Sequence, residues 1–157
     1  MTADRNRSLI GLSENPNSAY MKIDFDDQTK AEQVFHLIWE LEAEVNNGGF
    51  GQYFSNSSGE QAHQVVTALE TIGADATADI ARRAIEIVFG SESPARDTKR
   101  RQAMVAQLPP SKLEELNECD DSFFRYPNDL TTLLYDFIAA NRSSVRGAED
   151  FVDSPRR

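Results

Sequence analysis

Glu32, His36, Glu40 and Glu44 recur every four residues in this chain of 157. On a helix that spacing draws them into one line, which is how a helix presents ligands to a metal ion. At about 100° per residue, the line lies opposite Val34, Ile38, Leu41 and Val45 and is expected in solvent. It offers a single imidazole and no second ligand-bearing segment, so no metal site is expected. Nucleophilic chemistry is no better provided for. Cys119 is the only cysteine and reads as a small half-buried residue; neither an intrachain disulfide nor a four-cysteine zinc site can form. His63 has no Cys, Asp or His pattern around it. The chain has no nucleophile elbow and no phosphate loop with its lysine. No catalytic residue, metal ligand or cofactor is assigned, and the protein is expected not to be an enzyme.

The most unusual text is Asn47-Gly48-Gly49-Phe50-Gly51-Gln52-Tyr53-Phe54-Ser55-Asn56. Three glycines within four residues permit a sharp reversal with positive φ and a close backbone approach. Phe50, Tyr53 and Phe54 then fall at i, i+3 and i+4, so one helical turn can plug three rings into a core. Gln52 and Asn56 offer amides to the backbone groups such a turn leaves unpaired. The segment reads as a structural corner with packed rings; the other reading is a pocket lined by rings and amides. Just before it, Glu42 lies near the edge of an apolar face and must find partners. The turn at Asn46–Gly49 or an arginine from another helix would supply them.

Helices must position these residues, because alternating strand patterns are nearly absent. Apolar residues three and four apart mark a helix from Thr29 to Asn47, ended by Gly48-Gly49. Others run from about Glu60 to Ile72 and from Asp75 to Phe89, each stopped by a glycine. The 75–89 helix has a wide apolar face and is expected to be the most buried. A weaker helix spans Ala95–Leu108 and stops at Pro109-Pro110, where Ser111 and Glu114 form a capping box for the next. A last strong helix covers Asn128–Asn141. Residues 1–28 read as an irregular or weakly helical lead-in, 29–141 as the helical domain, and 142–157 as a polar tail in which Phe151 and Val152 could dock. The fold class is all-α, a single compact multi-helix domain of about six helices.

Charge narrows the partners. With 16 Lys+Arg against 26 Asp+Glu the net charge is -10, which excludes the usual phosphate-neutralising nucleic-acid binder and an anionic membrane surface. A basic protein is the class that stays attractive. Residues 14–60 hold nine acids and two bases, and 111–136 hold seven and two, whereas 95–110 holds one acid and four bases. That basic segment must lie away from an acidic working face, or pair with the acids internally or across a homodimer. Met1–Ser13 lacks the apolar core of a signal peptide, and no stretch approaches the roughly 18 apolar residues of a membrane span. The expected location is the cytoplasm.

Glu44-Val45-Asn46-Asn47-Gly48-Gly49-Phe50, then Gln52-Tyr53-Phe54 and Asn56, resembles a bacterial family of small helical proteins, a domain of unknown function typified by a DNA mimic of the DMP type. Ala68-Leu69-Glu70-Thr71-Ile72-Gly73-Ala74 resembles the family's second signature. The family's DNA-mimic member is an acidic helical dimer that occupies the DNA-binding surface of a transcriptional regulator; the shared motif is glycine and aromatic, so the resemblance by itself does not imply mimicry. Read from the residues, mimicry needs carboxylates spaced like phosphates, and side chains four apart on a helix have Cβ atoms roughly 5–6 Å apart. Glu32, Glu40 and Glu44 form one such line; Glu114, Glu118 and Asp121 form another. The expectation is an acidic binding protein that engages a basic or DNA-binding protein and not nucleic acid itself. Its alternatives are an immunity- or antitoxin-like blocker of a toxin, and a small-molecule-binding domain around Phe50, Gln52, Tyr53 and Asn56.

Overall fold

Apolar spacing and stop signals account for most of the seven α-helices of the computed structural model, which describes residues 2–153. They are α1 (Thr2–Glu14), α2 (Lys30–Ser55), α3 (Ala62–Thr71), α4 (Asp75–Phe89), α5 (Thr98–Ala106), α6 (Pro110–Phe124) and α7 (Leu130–Ala140). Short 3-10 turns lie at Phe25–Asp27, Ser57–Gln61 and Arg142–Ser144. Among the described residues there is no strand, and no helix is long and apolar enough to cross a membrane. The helices group into two compact units. The first gathers both ends of the chain, up to His36 and from Asp129 onward; the second is Leu37–Asn128.

In the first unit, the lead-in expected to be irregular or weakly helical holds the 13-residue helix α1, which buries Leu9 and Leu12 and packs on α7. Its apolar positions are too few for a periodic pattern. The tail is equally ordered. Val145, Ala148 and Phe151 are buried, Phe151 stacks on Tyr135 with centroids 4.9 Å apart, and the Val152 N–H donates to the Tyr135 hydroxyl. Of the expected docking pair, Phe151 is buried and Val152 is exposed. Residues 154–157 of that tail lie outside the described part. On the other side, the Arg5 guanidinium sits 5.3 Å from the Tyr135 ring centroid and 3.6 Å from Asp136.

In the second unit, α4 packs against α3 and α6 through small residues, Ala78, Ala81 and Ala84, which let the helix axes approach closely. Its far side carries exposed Arg82, Arg83 and Glu86, so it is amphipathic rather than central. The most buried helix is α2, which sinks Leu37, Ile38, Leu41, Val45, Phe50, Tyr53 and Phe54 within this unit alone. Three expected helix starts are also shifted. The Ser111–Glu114 box does not form, because Pro109 occupies the cap and Pro110 the first helical position, where a missing N–H costs nothing. Asp97 and Asp129 cap α5 and α7, accepting from the Arg100 and Thr132 N–H groups. Asn128 caps α4 from a distance, its Oδ1 accepting from the Thr77 N–H at 2.9 Å.

Candidate functional site

Gly48 and Gly49 both leave helical geometry, so the helix that starts at Lys30 ends at Asn47, as the glycine pair implies, and α2 continues past them only as a second helical stretch across a kink. Gly49 takes φ 77° and ψ -178°, a conformation essentially reserved for glycine, and the helix resumes at Phe50. The bend strips the Phe50 N–H of its intrahelical acceptor, and Asp120 of α6 supplies one, with Oδ1 at 2.8 Å. A Cβ on Gly49 would collide with that same carboxylate. Burial raises the Asp120 carboxyl pKa, against the pull of the Phe50 hydrogen bond and with the neighbouring Asp121 charge adding to the rise.

On the other side of the bend, Gln52 Nε2 and Asn56 Nδ2 both donate to Glu44 Oε2 at 2.9 Å. The two amides were expected to serve backbone groups; they instead tie the turn after the bend to the helix before it. Glu42 is met by Tyr126, whose hydroxyl donates to Oε1 at 2.9 Å and accepts from Asn46 Nδ2 at 2.6 Å. Burial, then the adjacent Glu42 charge and hydrogen bond, push the Tyr126 phenol up to about 12 despite the Asn46 contact.

The end of α2 is held by Arg101, which is completely buried. Its Nε donates to the Phe54 carbonyl at 2.9 Å and its Nη2 to the Asn56 carbonyl at 3.0 Å; the remaining donors reach the Ala95 and Arg96 carbonyls and the Thr98 hydroxyl. All five guanidinium N–H groups are thus used, none on a carboxylate. The charge sits at a helix C-terminus, where the partial negative charge of the last carbonyls favours it. Gly59 makes room: a Cβ there would lie 2.8 Å from Arg101 Nε and from two carbonyl oxygens.

The rings of the motif are packed, as expected of a corner. Phe50, Tyr53 and Phe54 are at most 1% exposed. Phe50 meets Phe123 edge-on at 5.9 Å and Phe54 meets Phe89 edge-on at 5.3 Å, so the partners lie on α6 and α4. This leaves the proposed ring-and-amide pocket without accessible rings. A cavity of about 270 Å³ lies elsewhere in the unit, lined by Ile80, Arg83, Glu118, Cys119 and Ser122. Cys119 is buried rather than half-buried, and burial raises its thiol pKa against the nearby Arg83.

The two acidic lines fare differently. Glu32 was expected in solvent and is 3% exposed: Arg146 Nε and Nη2 donate to its two oxygens at 2.9 and 2.8 Å, joined by the Thr29 and Arg146 N–H groups. Burial would raise its pKa, yet these hydrogen bonds and the guanidinium charge hold it at about 2. Glu40 is half-buried, and Glu44 is committed to the clasp. The line fails as a surface because Phe25, Tyr20 and the 144–146 segment fold over its start, with the His36 ring lying edge-on to Tyr20 and Phe25. Among the described residues no cluster of His, Cys, Asp and Glu could hold a metal ion. Glu114, Glu118 and Asp121, by contrast, are all exposed on one face of α6. The basic segment is partly absorbed within the same unit, with Arg101 buried, Arg96 3.6 Å from Glu60 and Arg100 3.5 Å from Glu92.

Asp120, Arg101, Tyr126 and Arg146 escaped the sequence reading. Each acts on a segment 45 or more residues away, and none lies in a motif; only the arginine-rich text at 99–101 offered a signal. The model of one protein family, described as DMP19-like protein, matches residues 26–141. No curated protein and no solved structure matches the chain.

Proposed function

This chain belongs to the DMP19-like family, a family of DNA mimics, and from that premise we propose that it binds the basic surface of a DNA-binding protein. The role is binding rather than catalysis. The observation that carries the reading is the exposed row of Glu114, Glu118 and Asp121 on α6. Successive members are four and three residues apart, so their Cβ atoms stand roughly 5–6 Å apart, close to the spacing of phosphates along a strand. The unit that holds them carries fifteen acids against eight bases, and its field attracts a basic partner before contact. Glu32 and Glu44 do not belong to this face, since each is spent inside the fold.

The test is retention of DNA-binding proteins on the immobilised chain at about 50 mM salt, where surface charges are weakly screened. Duplex DNA should release what is bound, and the combined E114Q, E118Q and D121N variant should retain much less. Retention that survives the triple variant, or that duplex DNA does not disturb, overturns the proposal.

A further inference from the structure

The acidic row does not stand alone on its helix. Among the described residues of Leu37–Asn128, the large apolar side chains left exposed are Leu113 at 45%, Phe124 at 47% and Tyr126 at 39%, all in α6 or just beyond it. Leu113 and Phe124 are three turns apart, about 16 Å along the axis, and only about 20° apart around it. Glu114, Glu118 and Asp121 lie between them in height, about 80–140° around from Leu113. The face therefore carries an acidic line and, beside it, an apolar line made of two side chains alone, Leu113 and Phe124, with Asn117 and Asp120 between them. A phosphate backbone has no counterpart of the apolar line, so charge imitation alone leaves it unexplained.

We infer that the outer face of α6 takes a basic amphipathic helix, whose apolar residues seat on Leu113 and Phe124 while its Lys and Arg side chains meet Glu114, Glu118 and Asp121. This rests on the reading of α6 as the partner-binding face and adds what the partner must look like. Charge complementarity selects the occupant. A second copy of the chain would bring a second acidic row against the first, whereas a Lys/Arg-lined helix gains on both lines at once. Helices of DNA-binding proteins that enter the major groove present such a basic side. The apolar contacts would make part of the affinity insensitive to salt, which phosphate-like contacts are not.

Two synthetic probes separate the contributions: a helical Lys/Leu peptide with its leucines on one face, and an oligolysine of equal charge. Binding of each is measured by fluorescence anisotropy over a salt series. The amphipathic peptide should bind about 30-fold more tightly, equivalent to about 2 kcal/mol at 1.4 kcal/mol per tenfold. L113S combined with F124S should erase that preference and leave oligolysine binding unchanged, with helicity by circular dichroism as the check on folding. Equal affinity for the two peptides overturns the inference and leaves the acidic face standing. If E114Q/E118Q/D121N weakens neither peptide, the acidic-face reading falls as well. A dimer in sedimentation that L113S/F124S converts to monomer assigns the face to a second copy and also overturns the inference.

Discussion

Asp120 closes on the main chain of Phe50, its Oδ1 accepting the amide N–H at 2.8 Å from a helix seventy residues further along the chain. The carboxylate fills the space that a side chain on Gly49 would need, so the bend of α2 and its capping by α6 are one arrangement. The glycine pair is thus explained by what approaches it as much as by the turn itself.

Substitution at Gly49 should be severe. Valine must adopt φ 77° and displace Asp120, a combined cost of about 3 kcal/mol or more. At Asp120, alanine leaves the Phe50 N–H without its acceptor and should cost about 2 kcal/mol. Asparagine keeps an acceptor and removes a carboxylate that burial disfavours; D120N should lose less than about 1 kcal/mol at neutral pH. Urea denaturation of the three variants checks the order.

Arg101 should tolerate nothing else. R101M strands the carbonyls of Phe54, Asn56, Ala95 and Arg96 and should cost about 3–5 kcal/mol. R101K keeps the charge but brings three donors to a site with five acceptors, and should still lose about 2 kcal/mol. A lysine variant as stable as the parent by thermal unfolding would mean that charge, not the planar fork, is what the helix end needs.

The Glu32–Arg146 pair predicts a pH dependence. A carboxyl whose pKa falls on folding, here from 4.5 to about 2, is stabilised as the anion. Its contribution is complete above about 4.5 and disappears as pH drops toward 2. R146Q should therefore be less stable than wild type at pH 7, by an amount that solvent screening of the half-exposed Arg146 side chain reduces, and the gap should close across that interval. Urea midpoints of both proteins at pH 7, 4 and 3 measure it; a constant gap would refute the assignment.

The helices were legible where apolar spacing was regular and a glycine or proline closed the run. Asp75–Phe89 is read to the residue, and the three rings after Gly49 are packed as their i, i+3, i+4 spacing implies. Helix α1 was legible only as an irregular or weakly helical lead-in, because two buried leucines in thirteen residues make no periodic face. The acidic lines show the sharper limit. Helical spacing tells that Glu32, Glu40 and Glu44 share a side of α2, but not that Arg146 arrives from over a hundred residues away to cover Glu32. It also tells that Glu44 flanks the glycines, but not that Gln52 and Asn56 turn back to it. Partners brought by the rest of the chain decide which carboxylates remain surface and which become internal fasteners.

One step along α6 separates Asp120, which caps the bend, from Asp121, which faces outward. The helix that presents the acidic row is therefore also the brace of the glycine corner. A mutational scan that reads only partner capture would score Gly49, Phe50 and Asp120 as contact residues, although a partner seated on the outer face of α6 need touch none of them. Only a scan that records folding alongside capture can tell the brace from the surface it carries.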